Sequence, residues 1–103
     1  MAEYRVLFTP FADAEILESY EWGAAFWGED AARLWLEELY SAVFRRLAVY
    51  PLSCPIAPES AESETIIRQY LVRRYRILLE VNNDSVVVLH LAGPFNPSAP
   101  NTE

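Results

Sequence analysis

The chain has 103 residues, 52% of them hydrophobic, and a formal net charge of −7 with no lysine. This length allows one domain with one modest core. One cysteine and one histidine exclude an internal disulfide and a structural zinc site. Phosphate-binding proteins usually carry a basic excess, so direct binding of nucleic acid is disfavoured.

No segment resembles a secretory signal, and no apolar run approaches the roughly 20 residues that a membrane span requires. We therefore expect a cytoplasmic protein that does not enter the membrane. The residue types also offer no ligand set for a metal ion, and we expect no cofactor.

The first predicted elements are a strand and a helix. Alternation predicts a strand from Glu3 to Phe8. Thr9 then supplies an N-cap hydroxyl, and Pro10 suits the first helical turn. A helix is predicted from Pro10 to about Trp27, with apolar residues at helical spacing at Ile16, Leu17, Tyr20 and Ala24.

A second helix follows after a very short connection. Gly28 interrupts the first pattern, Glu29 and Asp30 suit a new helix start, and Pro51 ends the segment. So short a connection predicts an antiparallel helical hairpin. Its apolar seam is Leu36, Leu39, Val43 and Leu47, and the tryptophans of the two helices, Trp22, Trp27 and Trp35, fit packing better than a stacking platform.

The segment from Pro51 to Glu64 is rich in proline and serine, which predicts an exposed loop without regular structure. Cys54 lies in this loop. The chain's single histidine is on a distant strand and no base is recognisable beside the thiol, so a catalytic role for Cys54 is not supported.

Three strands complete the predicted fold, at Thr65–Leu71, Arg74–Val81 and Ser85–Leu91, with an irregular tail over 94–103. Asn82 to Asp84 form the turn between the last two strands. We predict one α+β domain over residues 1–103, in which the helical hairpin packs on one face of a mostly antiparallel sheet. The first strand joins the three-stranded antiparallel meander.

The arginines are concentrated in the meander, where Arg68, Arg73, Arg74 and Arg76 are half of all basic residues. Planar guanidinium groups suit a focused site for phosphate, carboxylate or stacked bases. The alternative is that Arg68 and Arg76 form ordinary salt bridges with Glu80 or with acids of the helices. The face of Arg68 depends on the turn. A three-residue turn over Val72 to Arg74 places Arg68 opposite Arg76, and a two-residue turn at Val72-Arg73 places it with Ile77.

A partner-binding face is predicted on the meander. The odd-numbered residues Ile77, Leu79, Val87 and Leu89 suffice to meet the helices, which leaves the even face uncovered. Exposed apolar surface of this kind usually marks an interaction site. The predicted partner-binding residues are Arg68, Arg74, Arg76, Leu78, Val86, Val88 and His90. We expect a partner segment with apolar and acidic residues, and self-association, for example as a homodimer, without it.

The order of elements resembles the RelE/ParE superfamily of type II toxin–antitoxin toxins, including the ParE-like proteins described as plasmid stabilisation proteins. The residues that carry the resemblance are Tyr4, Val6, Thr9, Pro10 and Ala12, the leucine-rich second helix up to Leu47 and Pro51, the pair Ile67-Arg68, and Tyr75 to Leu78. The resemblance implies a toxin that is neutralised by a cognate antitoxin protein.

The superfamily has two modes of action. Its ribosome-dependent endoribonucleases use a basic set, of which Arg76 matches one member, whereas the positions of the family lysines are Ile67 and Gln69 here. The arginine and tyrosine beyond the last strand are missing, and His90 falls too early to match a catalytic His-Tyr pair. The resemblance therefore favours the ParE-like mode, in which the toxin binds a protein, namely DNA gyrase, and is not an enzyme. A non-toxic binding module of the same fold is the main alternative, ahead of the endoribonuclease.

Overall fold

A computed structural model describes residues 3–93. The elements are strand β1 (Arg5–Phe8), helices α1 (Pro10–Trp27) and α2 (Glu29–Leu47), and strands β2 (Arg68–Val72), β3 (Tyr75–Asn82) and β4 (Ser85–Ala92). The strands form one sheet in the order β1-β4-β3-β2, with β1 parallel to β4 and the other pairs antiparallel. The α+β fold is as predicted, and the predicted tail lies outside the described residues.

The helical hairpin begins and turns as the sequence predicts. The backbone N–H of Ala12 donates to Thr9 Oγ1 at 3.1 Å, which caps α1, and Pro10 occupies the first turn. Gly28 alone joins the two helices, with φ of 95°. Residues with a Cβ rarely adopt this backbone conformation, so a glycine at this position allows the chain to turn directly from α1 into α2. Among residues 3–93, neither helix is long and apolar enough to cross a membrane.

The core lies between the hairpin and one face of the sheet. α2 contributes Leu39, Val43 and Leu47, and α1 contributes Ile16. The sheet contributes Tyr75, Ile77, Leu79, Val86, Val88 and Leu91. The predicted apolar seam of α2 is thus the one that is buried, apart from Leu36, which is only partly buried.

The prediction that Val86 and Val88 lie on an uncovered face is wrong. Both side chains are fully buried in the core. A two-residue turn pairs Asn82 with Ser85 and Val81 with Val86, so odd-numbered residues of β3 share a face with even-numbered residues of β4. The prediction carried one parity across the turn, whereas this turn exchanges it.

A β-bulge in β4 reverses the alternation again. Leu79 pairs with Val88 but Leu78 pairs with His90, which leaves Leu89 as the extra residue. Beyond the bulge, Leu91 faces the core and His90 the opposite side. Leu78 lies on that opposite side too, but it is only 8% exposed, so the expectation that it is uncovered is also wrong.

Side chains of α1 and its cap satisfy the backbone of the bulge. Thr9 Oγ1 donates to the carbonyl of Leu89 at 2.8 Å. The N–H of Leu91 donates to Glu15 Oε1 at 2.9 Å. Because an extra residue disrupts the regular ladder of hydrogen bonds, these two contacts supply partners to the backbone groups on either side of His90.

The segment between α2 and β2 is more ordered than predicted. It contains two short 3₁₀ helices, Pro51–Ser53 and Pro58–Glu62. Three of its residues are buried, namely Pro51, Cys54 and Ala57. The prolines do prevent an α-helix, but small and apolar side chains still anchor the segment. We call residues 51–64 the connecting segment below.

Candidate partner-binding surface

The turn between β2 and β3 settles the face of Arg68. Val72 pairs with Tyr75, so the turn consists of Arg73 and Arg74, and Arg73 has φ of 56°. This register is neither of the two considered from the sequence. It pairs Arg68 with Leu79, which places Arg68 on the face of Ile77, as the two-residue alternative predicted.

Arg68 binds the connecting segment. Its Nη1 donates to the carbonyl of Cys54 at 2.8 Å and to that of Leu52 at 3.4 Å. Backbone carbonyl groups outside α-helices and β-strands need such donors. Arg68 therefore has a structural role, because it holds the connecting segment against β2.

Arg76 also binds within the protein. Its Nη2 donates to Glu59 Oε1 at 2.8 Å, and both Nε and Nη2 donate to Gln69 Oε1, at 3.1 and 2.9 Å. The hydrogen bond from Arg76 holds the pKa of Glu59 below its ordinary value. The salt-bridge alternative thus describes Arg76, with Glu59 of the connecting segment as the acid and not Glu80 or a helix residue. A phosphate would have to compete with both of these partners.

The two arginines of the turn differ in their partners. Arg73 Nη2 forms an ion pair with Glu38 Oε1 of α2 at 2.6 Å. Arg74 is exposed, and within residues 3–93 its guanidinium has no hydrogen bond or ion pair. Arg74 is therefore the cation of this turn that an incoming acidic group can bind without displacing an acid of this chain.

An apolar groove of about 340 Å³ lies beside Arg74, and we call it the aromatic groove. Its lining residues are Trp27, Ala31, Leu34, Trp35, Glu38, Arg73, Arg74 and Tyr75. The rings of Trp35 and Tyr75 pack against each other in this lining, with centroids 5.4 Å apart. Tyr75 is buried, and burial raises the pKa of its hydroxyl.

Exposed apolar side chains border the aromatic groove. Trp27 is 54% exposed and Leu34 56% exposed, and nearby in sequence Phe26 is 67% exposed. Single exposed apolar residues are normal, but a contiguous group on a small domain marks an interaction site. The tryptophans were predicted to pack, and Trp35 packs against the core. The rings of Trp22 and Trp27 pack edge to face with centroids 5.1 Å apart, and Trp27 is also a surface residue because it is half exposed.

The surface continues along α2 as a second, more polar groove, which we call the α2 groove. Its lining residues are Leu34, Glu37, Glu38, Ser41, Ala42, Arg45, Val72 and Arg73. Leu34, Glu38 and Arg73 line both grooves. The two grooves therefore form one strip between α2 and the end of β2.

The remaining candidate residues lie away from this strip. The Nδ1 atom of His90 lies 3.2 Å from Glu15 Oε2, and its ring lies 5.9 Å from that of Phe11. Cys54 is 3% exposed, and burial raises the pKa of its thiol. Over residues 3–93, no three His, Cys, Asp or Glu residues come together as a metal site. Neither His90 nor Cys54 has the surroundings of a nucleophile with a base.

Of the predicted partner-binding residues, the structure places only Arg74 on this strip. Trp27, Leu34 and Tyr75 line the strip but were not among the predicted partner-binding residues. Leu34 carried a signal that was available, because it is a large apolar residue of α2 outside the seam of Leu36, Leu39, Val43 and Leu47. An apolar residue off the buried stripe of an amphipathic helix has to lie on its surface.

Comparisons with known proteins agree with this fold. Residues 6–92 match the family model described as the ParE toxin of type II toxin–antitoxin systems, parDE. A search of curated protein sequences found no significant match. Among solved structures, a chain of the chromosomal ParDE system from P. aeruginosa matches with a TM-score of 0.73 and 15% sequence identity. The match covers 87% of this chain and 95% of that one, and at this identity it establishes the fold.

The family model spans all four strands of the sheet and both helices, from within β1 to the end of β4. It thus covers the complete arrangement that forms the aromatic groove. On this evidence, the chain belongs to the ParE family of toxins of type II toxin–antitoxin systems.

Proposed function

We propose that this toxin acts by binding a cellular protein and that a cognate antitoxin neutralises it by covering the strip of the aromatic and α2 grooves. Membership of the ParE family supports a toxin role. The observation that carries the binding surface is the apolar groove with the unpaired guanidinium of Arg74 at its rim. Such a surface suits a segment that brings an apolar side chain and a carboxylate.

We propose DNA gyrase, a protein of the cytoplasm, as the cellular target. The support is the ParE-like character of the sequence together with the state of Arg76. Two of the three guanidinium nitrogens of Arg76 are engaged: Nε donates to Gln69, and Nη2 donates to Gln69 and Glu59. RNA cleavage needs a base, an acid and a charge that stabilises the phosphorane, and Arg76, the residue that matches the basic set of the nucleases, is already engaged by these two side chains. We therefore propose protein binding instead of ribonuclease action.

The experiment compares expression of the protein alone with expression together with the products of the adjacent open reading frames. We expect growth arrest and inhibited gyrase supercoiling in the first case, and restored growth in the second. Normal supercoiling would remove gyrase as the target. Growth without arrest, with a neighbouring product still bound, would favour the non-toxic binding module. Messenger cleavage on translating ribosomes that Arg76→Ala abolishes would reverse the proposal.

Two matched variants test the surface. Leu34 and Leu17 are helical leucines of nearly equal exposure, 56% and 54%, but only Leu34 lines the grooves. We expect Leu34→Ser to weaken binding of the antitoxin at least about tenfold, since it removes apolar area from a desolvated contact. Leu17→Ser should leave binding unchanged at a similar cost in stability. Equal binding by both variants would place the interface elsewhere.

A toxin of this kind would stabilise the plasmid or chromosomal region that encodes the pair, because a cell that loses the region keeps the toxin without fresh antitoxin. Plasmid retention with and without the pair is the measurement. Equal rates of loss would contradict this part of the proposal.

A further inference from the structure

The outer edge of β2 is half covered by the protein itself. Residues 55–57 run antiparallel beside it, with a bridge between Ile56 and Arg68. The N–H of Gln69 donates to the carbonyl of Pro55 at 2.9 Å, and the N–H of Ala57 donates to the carbonyl of Ile67 at 2.8 Å. This part of the connecting segment therefore acts as a short additional strand on the first half of β2.

The second half of that edge is open. In an antiparallel strand the backbone groups of successive residues point alternately to one neighbour and the other. Because Gln69 donates outward, the N–H and C=O of Leu71 point outward as well. Neither group has a hydrogen-bond partner among residues 3–93, and Leu71 is 59% exposed.

The open edge borders the α2 groove. Val72, the next residue of β2, lines that groove together with Ala42 and Arg45. An added strand would direct alternate side chains into the groove and onto the opposite face beside Leu71. Its backbone would form hydrogen bonds with the N–H and C=O of Leu71. Its side chains would contact the strip of the two grooves that is proposed to bind the partner.

We propose that the partner contributes an extended segment that pairs antiparallel with Leu71 as a fifth strand of the sheet. The inference rests on the proposed function, because the segment belongs to the antitoxin described there. One residue of the segment exchanges both hydrogen bonds with Leu71, as a paired antiparallel residue does. A neighbouring apolar side chain enters the α2 groove beside Val72.

Charge determines the rest of the segment. Arg74 has no ionic partner among the described residues, and Arg45 donates only to Ser41, at 3.3 Å. These two cations lie at the rims of the aromatic and α2 grooves respectively. An acidic residue next to the apolar one would bind Arg45 or Arg74. The proposed segment therefore contains at least one apolar and one acidic residue.

Amide hydrogen exchange tests the pairing directly. The probe is the complex that is purified after co-expression with the adjacent open reading frame, compared with the toxin alone. We expect exchange of the Leu71 amide to slow at least about tenfold in the complex, the effect of about one hydrogen bond. The Gln69 amide, already bonded to Pro55, should change little. An unprotected Leu71 amide in a stable complex would overturn the inference.

Two substitutions at one position separate the backbone from the side chain. Leu71→Pro removes the outward N–H but no bond to β3, and proline is tolerated at such edge positions. Leu71→Ala keeps the N–H and loses most of the side chain. We expect the proline variant to bind at least about threefold more weakly than the alanine variant, for one lost donor. Equal binding by the two folded variants would contradict the pairing, and hydrogen exchange decides if the proline variant does not fold.

The outcomes also separate this inference from the proposed function. If no neighbouring product binds and growth is unaffected, the proposed function fails. If a complex forms with Leu71 unprotected, only the added strand fails. If Leu71 becomes protected in the toxin alone as its concentration rises, the occupant is a second copy and the assignment to the partner is overturned.

Discussion

Gly93 lies directly against the ring of Tyr75. A Cβ atom at position 93 would come within 2.2 Å of Cδ2 and 2.3 Å of Cε2 of that ring. The ring also packs against that of Trp35, with centroids 5.4 Å apart. Because Tyr75 also lines the aromatic groove, the absence of a side chain at Gly93 fixes the shape of the candidate binding surface.

The first prediction concerns this contact. Gly93→Ala should lower the free energy of unfolding by about 1–3 kcal/mol, because the buried ring of Tyr75 has to move to admit the methyl group. Gly23→Ala is the control, since its Cβ would lie 3.4 Å from Trp27 Cε3, close to an ordinary contact. That variant should change stability by no more than about 1 kcal/mol. Urea denaturation measures both, and equal losses would contradict the close approach.

The second prediction compares neighbouring residues of β3. Ile77 is fully buried, and Ile77→Ala should cost about 2–5 kcal/mol by leaving a cavity. Arg76→Ala removes a partly exposed ion pair with Glu59 and should cost within about 1 kcal/mol. Chemical denaturation of the two variants is the measurement. A larger loss for Arg76→Ala than for Ile77→Ala would mean that the connecting segment, and not the core, limits stability.

The third prediction concerns pH. The hydrogen bond from Arg76 lowers the folded-state pKa of Glu59. A lowered carboxyl pKa stabilises the fold above the unfolded-state value of about 4.3, and this contribution is lost as the pH falls through the folded-state value. The carboxylate is partly exposed, so the effect should stay within about 1 kcal/mol. Glu59→Gln should be less stable than the wild type at pH 7, and the difference should disappear in acid. A difference that persists at low pH would assign the effect to packing.

The fourth prediction follows from the exchanged parity of β4. Val88→Thr buries a hydroxyl in the core and should cost about 1–3 kcal/mol if the hydroxyl finds no partner. Val87→Thr is the matched control, because Val87 pairs with Glu80 on the opposite face and is only partly buried. Its effect should stay within about 0.5 kcal/mol. Thermal unfolding distinguishes the two, and a greater loss of stability for Val87→Thr would mean that Val87, and not Val88, faces the core.

Local signals in the sequence were sufficient for the helices. Thr9, Pro10 and Gly28 determine where α1 begins and ends through their own backbone and hydrogen-bonding properties, so their effects can be read from short windows. The seam of α2 likewise follows from the spacing of its apolar residues.

The faces of the sheet and the binding surface could not be obtained in this way. The register of Val86 depends on the exact turn. The bulge at Leu89 depends on two contacts with residues 76 to 80 positions away in sequence: Thr9 Oγ1 donates to the Leu89 carbonyl, and Glu15 Oε1 accepts from the Leu91 N–H. The partner of Arg76 is similarly remote, since Glu59 comes from a segment whose composition indicates only a loop. Long-range pairings of this kind are not encoded in local periodicity.

The contacts of β1 and Thr9 with β4 have a consequence for biosynthesis. Among the described strands β1 pairs only with β4, and Thr9 at the start of α1 binds Leu89. β1 therefore stays unpaired until β4 has been synthesised. Contacts so distant in sequence also form slowly and late in folding. The helical hairpin can form earlier from local contacts, but its apolar face stays exposed until then. The sheet, and with it the candidate binding surface that Tyr75 lines, is therefore complete only after β4 has been made.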